Sequence, residues 1–183
     1  MGLDLNENVV MDNMRRILDK AQEHNVFITI DMEDYERCGK TIEIFKKLKR
    51  EYENIGTVIQ AYLYRTEQDI RELNEYQPNL RLVKGAYKES PDVAFPEKKN
   101  VDENYKNIIR MHLENGNYTA IATHDDAIIE YTKQLVKEYN IPYDQFETPE
   151  QMIDLLKEID EDKYNNFLDN AQIFLKSDKI KLF

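Results

Sequence analysis

The chain has 183 residues, with 25 Lys and Arg against 36 Asp and Glu and a formal net charge of −11. A body this acidic repels phosphate backbones and anionic lipid surfaces, which sets nucleic-acid binding aside. One cysteine, no run approaching the ~18 apolar residues of a membrane span and no basic-then-apolar leader over residues 1–10 together predict a cytoplasmic protein without disulfides.

Apolar residues recur at helical spacing over residues 11–24 through Met11, Met14, Ile17, Leu18 and Ala21. Residues 26–31 (VFITID) form a short β-branched and aromatic run that reads as a buried strand. A charged helix follows over 35–52, carrying Ile42, Ile44, Phe45 and Leu48; Cys38 lies inside it and reads as a packed thiol rather than a nucleophile. Gly56 punctuates the chain, and residues 57–63 (TVIQAYL) read as a second strand. Residues 66–76 are helical, with Thr66 as the expected N-cap before Glu67 and Asp69, and Pro78 stops that helix. Residues 80–84 (LRLVK) are a third strand and 85–99 a loop holding Pro91 and Pro96. A helix over 102–114, a strand over 118–123 (YTAIAT) and a helix over 125–139 come next. Two further helical patterns span 149–159 and 163–175, and no clear strand follows Phe146.

Strand and helix alternating in this way indicate a parallel sheet with crossover helices. An open dinucleotide-binding sheet would carry a Gly-rich turn after its first strand. With 5 Gly and no GxGxxG the barrel is favoured: an α/β fold, a partial TIM-type (β/α) barrel with parallel strands and a helical C-terminal tail. The expected division is residues 1–147 as barrel and 148–183 as tail.

Polar side chains fall at the strand ends: Asp31 after the first, Gln60 in the second, Arg81 and Lys84 in the third, and Thr123, His124 and Asp125 after the fourth. Barrel enzymes build their sites from several such ends at once. Each residue also has a purely structural reading. Asp31 could cap the next helix, and Gln60 could satisfy a backbone group. Arg81 and Lys84 could pair with Asp31 or Glu33, and His124 could be structural, since no partner has zinc-ligand spacing with it. This pattern predicts a barrel enzyme and names no reaction.

Arg81–Tyr87 (RLVKGAY), together with residues 30–33 (IDME), 58–63 (VIQAYL) and 122–125 (ATHD), resembles the signature of the proline dehydrogenase family in order and rough spacing. The similarity covers about residues 2–147. It implies a (β/α)₈ barrel holding FAD noncovalently, oxidation of L-proline to 1-pyrroline-5-carboxylate, and a membrane quinone as electron acceptor, hence peripheral membrane contact. Carried across, it puts Arg81 near the flavin's reactive nitrogen and Gln60 on the isoalloxazine ring. Val83, Lys84, Gly85 and Ala86 would contact the cofactor, as would Lys98, Thr123 and His124, while Asp31 and Tyr87 would line the proline pocket. A guanidinium there would stabilise the anionic reduced ring, and Lys84 and Lys98 suit phosphate or ring oxygens.

The chain departs from the family in two places. Met1 directly precedes Gly2, where the family has a strand with a lysine. Residues 148–183 match no family segment and contain no arginine to clamp a proline carboxylate. These departures predict an impaired dehydrogenase. Two alternatives are a catalytically inactive flavin-binding module and an interaction half-barrel that self-associates through exposed sheet edges.

Overall fold

The computed structural model describes residues 2–4, 6–142 and 146–148. They belong to the first of two units, Met1–Thr148; the helices expected over 149–159 and 163–175 fall in Pro149–Phe183, outside the described residues.

The described elements run α1 (Glu7–Glu23), β1 (Ile28–Ile30), α2 (Tyr35–Lys49), β2 (Ile55–Gln60), α3 (Thr66–Leu73), a 3-10 turn (Asn74–Tyr76), β3 (Asn79–Val83), α4 (Lys98–Glu114), β4 (Thr119–Ile121), α5 (Asp126–Glu138) and β5 (Phe146–Glu147). All neighbouring strands pair in parallel, and their order in the sheet is β1-β2-β3-β4-β5. This order decides between the two architectures. A doubly wound sheet reverses direction part-way and so places helices on both faces. Strands added always on the same side, by right-handed crossovers, place every helix on one face, as in the wall of a TIM-type barrel.

Burial agrees. Register aligns Thr57 with Leu80 and Thr119, and Ile59 with Leu82 and Ile121; all six are buried on the face that the helices cover. Leu18, Phe45, Leu48, Ile70, Tyr105 and Ile108 bring the helices onto that face with no measurable exposure. Each such burial contributes about 1.5–3 kcal/mol. The opposite face aligns Val58 with Arg81 and Ala120, and Gln60 with Val83. Among β1 to β4, only β2 is buried on both faces; Arg81, Val83 and Ala120 are half-buried and Ala122 is exposed.

Several local expectations are corrected. Asn6 caps α1 by accepting from Asn8 N at 2.8 Å, so the helix starts at Glu7, ahead of the apolar stripe. The cap of α2 is Asp34, whose Oδ1 accepts from Arg37 N at 3.1 Å; Asp31 does not cap it. Thr66 is the first residue of α3 rather than its cap, and its hydroxyl donates to Gln60 O at 2.6 Å. The helix α4 starts at Lys98 instead of Asp102. A two-residue strand, β5, pairs with β4 at Phe146, where the sequence pattern shows none. Cys38 is buried as expected, and burial pushes its thiol up to about 11.

Candidate active site

The C-terminal strand ends converge, because parallel strands all finish on the same rim. Asp31 follows β1, Gln60 ends β2, Val83 ends β3, and Thr123, His124 and Asp125 follow β4. Arg81 Nη2 donates to Asp31 Oδ1 at 2.6 Å across the open face. The Arg81 side chain is 41% exposed and that of Asp31 76%. An ion pair this open contributes about 0–1 kcal/mol, too little to be there for stability. What it does is orient the guanidinium.

Two polar atoms here, one of them in this pair, lack partners among the described residues. Gln60 Nε2 donates to Glu33 O at 3.0 Å, while its Oε1 is buried with no hydrogen bond, and Arg81 Nε is buried in the same condition. Leaving such atoms unmatched costs about 1–3 kcal/mol each. Gln60 and Arg81 lie on the same sheet face by register, since Val58 pairs with Arg81 and Gln60 with Val83. The face therefore offers an unspent acceptor and an unspent donor beside half-buried Val83 and exposed Ala122, a combination suited to a flat ligand with polar edges.

The segment after β3 is tightly shaped. Gly85 has φ +114, and a Cβ there would lie 2.2 Å from Tyr62 Cδ1, so the chain turns against a tyrosine ring. Ala86 and Tyr87 beyond it are exposed. The rest of the loop is pinned. Leu63 and Ala94 form an antiparallel bridge, Tyr64 and Phe95 meet edge to face at 4.6 Å, and Glu89 Oε1 accepts from Tyr35 N at 2.8 Å. Thr123 Oγ1 accepts from Asp125 N at 3.2 Å, and His124 is exposed beside it.

Lys84 lies elsewhere. The ladder continues past β3, with Ala61 N donating to Val83 O at 2.8 Å and Tyr62 N to Lys84 O at 2.9 Å. Alternation then sends Val83 to the open face and Lys84 to the helix side. Its ammonium donates to Asp102 Oδ1 at 2.6 Å and to Asp125 Oδ2 at 2.7 Å. Lys98 joins the same two carboxylates, reaching Asp125 at 3.4 Å. The hydrogen bond from Lys84 holds the Asp125 carboxyl down at about 2. Pairing of Lys84 with Asp31 or Glu33, one structural reading of the sequence, is thus replaced by pairing with α4 and with the N-cap of α5. Sequence reasoning missed Asp102 and Asp125 as partners. The i,i+4 spacing of Lys98 and Asp102 and the cap position of Asp125 were the available signals.

The sequence profile of the family described as proline dehydrogenase matches residues 2–154. The chain belongs to the proline dehydrogenase family. Proline dehydrogenase 2 of Bacillus subtilis (strain 168) is 60% identical over 147 residues, covering 80% of this chain and 48% of the relative. Proline dehydrogenase 1 of the same organism is 51% identical over 165 residues, covering 86% and 55%. The chain thus spans about half the length of the curated relatives it matches. Among solved structures, proline utilization A from Bdellovibrio bacteriovorus, inactivated by N-propargylglycine, superposes with a TM-score of 0.74 at 28% identity, over 80% of this chain and 18% of that one. Proline utilization A of Bradyrhizobium japonicum, at 20% identity and TM-score 0.66 over 76% of this chain and 16% of that one, shares the fold. The match reaches residue 154, beyond the 147 read from the motifs.

Proposed function

We propose that this proline dehydrogenase family chain binds FAD on the open face of its sheet and serves the oxidation of L-proline to 1-pyrroline-5-carboxylate. One observation carries the reading. Arg81, held by Asp31, shares a sheet face with Gln60, and each presents a buried polar atom without a partner among the described residues. The printed names of the relatives support proline as the substrate.

The residues fit a flavin. An amide acceptor and a guanidinium donor suit the alternating donors and acceptors along the ring's edge. Val83, with the main chain of Lys84, Gly85 and Ala86, forms the floor beside them, and Gly85 keeps the chain low there. Thr123, His124 and Lys98 lie at the rim, where the ribityl and phosphate portion would run. When bound, the flavin supplies hydride acceptance, and the carbon chemistry belongs to it. The chain's part is to position and to stabilise charge. A guanidinium fixed before the reaction favours negative charge developing beside it without reorganisation. Asp31 keeps that guanidinium aimed, and Asp31 and Tyr87 line the side where proline sits.

A quinone met at a membrane surface is the proposed electron acceptor, and the cytoplasm the proposed compartment. No described helix is long and apolar enough to cross a membrane. Self-association through the β1 and β5 edges, which pair with no further strand among the described residues, is proposed on the ground that such edges recruit partners.

The test begins with colour. Purified protein titrated with FAD is expected to take up flavin absorbance. Arg81→Met is expected to weaken binding about tenfold or more, the cost of one charge-assisted hydrogen bond. Wild-type protein that stays colourless at saturating FAD refutes the reading. Reduction of a dye by proline then separates a working dehydrogenase from a flavin-binding chain without turnover.

A further inference from the structure

The cation in the middle of the RLVKGAY segment has two candidate duties. It could deliver its charge to a cofactor, or it could hold the segment in place. The geometry points to the second: Lys84, Asp102 and Asp125 are positioning residues that bolt the backbone following β3 to the starts of α4 and α5.

Three observations carry this. Lys84 follows a strand whose ladder still runs through its own carbonyl, so its side chain leaves on the helix side, away from Arg81 and Gln60. Two of its three N–H groups are spent on carboxylates from two different elements, at 2.6 and 2.7 Å. The lysine and both carboxylates are about a quarter exposed, open enough to tolerate charge and closed enough to hold one geometry.

The carboxylates are themselves anchored. Asp102 sits on α4, whose Asn104 donates to Ala61 O at 2.7 Å and whose Tyr105 hydroxyl donates to Leu82 O at 2.6 Å. Asp125 uses its other oxygen, Oδ1, to accept from Ala127 N at 3.1 Å, capping α5. Lys84 is therefore tied to two fixed points, and its flanking residues Val83 and Gly85 are fixed with it. Lys98 adds a second cation to the same pair of carboxylates, so the cluster of Lys84, Lys98, Asp102 and Asp125 is neutral overall. Within it Lys84 is 25% exposed and Lys98 73%, so a phosphate would meet Lys98 first, which is a further reason to assign Lys84 to the scaffold.

The assignment rests on the flavin reading only for one of its two tests. The first uses Asp125→Asn, which keeps the cap oxygen and removes the charge. If Lys84 served an anionic cofactor directly, this change would free the lysine and remove a repelling charge, and FAD would bind more tightly. If Lys84 acts through its anchors, FAD binds less tightly, with an expected rise in Kd of about tenfold. In a Lys84→Met background the same change should add less than about twofold, because the anchor is already gone. Tighter binding by Asp125→Asn, or full additivity with Lys84→Met, overturns the inference and leaves the flavin reading standing. Wild-type protein that fails to bind FAD refutes that reading alone.

The second test needs no cofactor. Amide hydrogen exchange over residues 83–87 of the ligand-free chain should quicken about tenfold or more in both Asp125→Asn and Lys84→Met. In α1 the rates should not change. Unchanged exchange over residues 83–87 overturns the inference whatever FAD does.

Discussion

Gly85→Ala isolates the turn that shapes the proposed flavin floor. The added Cβ would sit 2.2 Å from Tyr62 Cδ1 and 2.5 Å from its Cγ and Cε1, and φ is +114. Ring carbons at that range must move. The Tyr62 backbone is hydrogen-bonded on both sides, its N–H to Lys84 O at 2.9 Å and its carbonyl from Phe95 N at 2.8 Å, so it cannot retreat easily. Overpacking of this kind costs about 1–3 kcal/mol, and holding alanine at a strongly positive φ costs about 1–3 more. The sum, about 4 kcal/mol at its centre, is a large share of the roughly 5–15 kcal/mol that holds a domain folded. For a chain of 183 residues this corresponds to a fall in Tm of about 8–16 °C, read by circular dichroism on a thermal ramp. Replacing Tyr62 by Ala in the same background should recover the steric part and leave the backbone part. The expected coupling in a double-mutant cycle is about 1–3 kcal/mol. A Gly85→Ala protein melting within about 2 °C of wild type would refute the reasoning.

Three other outcomes follow from buried charge and from the loop. His112 is fully buried, its Nε2 is 3.2 Å from Tyr118 O, and burial pushes its pKa down from 6.5 to about 4. Between those values the unfolded chain binds a proton that the folded chain refuses, so stability falls as pH drops from 6.5 to 4, by about 3 kcal/mol in total. Urea unfolding at several pH values should show this component in wild type and lack it in His112→Gln; equal slopes would exclude it. Asp69 is 6% exposed in its side chain and accepts two hydrogen bonds from the half-buried Arg65, so Asp69→Ala should cost about 2 kcal/mol, measured as a lower urea midpoint. Glu89→Gln keeps an acceptor for Tyr35 N and should leave the Tm nearly unchanged, whereas Glu89→Ala should lower stability by about 1 kcal/mol and speed proteolysis within residues 85–97.

The order of elements was legible in the sequence because apolar period and turn residues report it directly. Their limits were less legible, for identifiable reasons. The first turns of α1 and α4, residues 7–10 and 98–101, come before most of the apolar stripe that marks each helix, so periodicity starts each helix late. Residues 31–34 hold three acids, and composition cannot say which of them caps α2; backbone geometry selects Asp34. That choice leaves Asp31 free to face Arg81. Thr66 has the right chemistry for a cap, yet its hydroxyl is taken by the Gln60 carbonyl, a contact that needs the strand beside it. With two residues, β5 is too short to carry a period at all.

The site shows the same division within one strand. Alternation alone separates Arg81 from Lys84, because three residues apart along a strand means opposite faces. That much was written in RLVKGAY. The partners were not, since Asp31 lies 50 residues from Arg81, and Asp102 and Asp125 lie 18 and 41 residues from Lys84. Only the folded sheet brings them together. Once it does, the two cations part in duty. Arg81 lies on the proposed flavin face with its buried Nε unpartnered among the described residues, while Lys84 commits two of its three donors to the helix layer. β3 and the residue after it thus place one cation on each face, with Gly85 setting the turn between them and the exposed Tyr87.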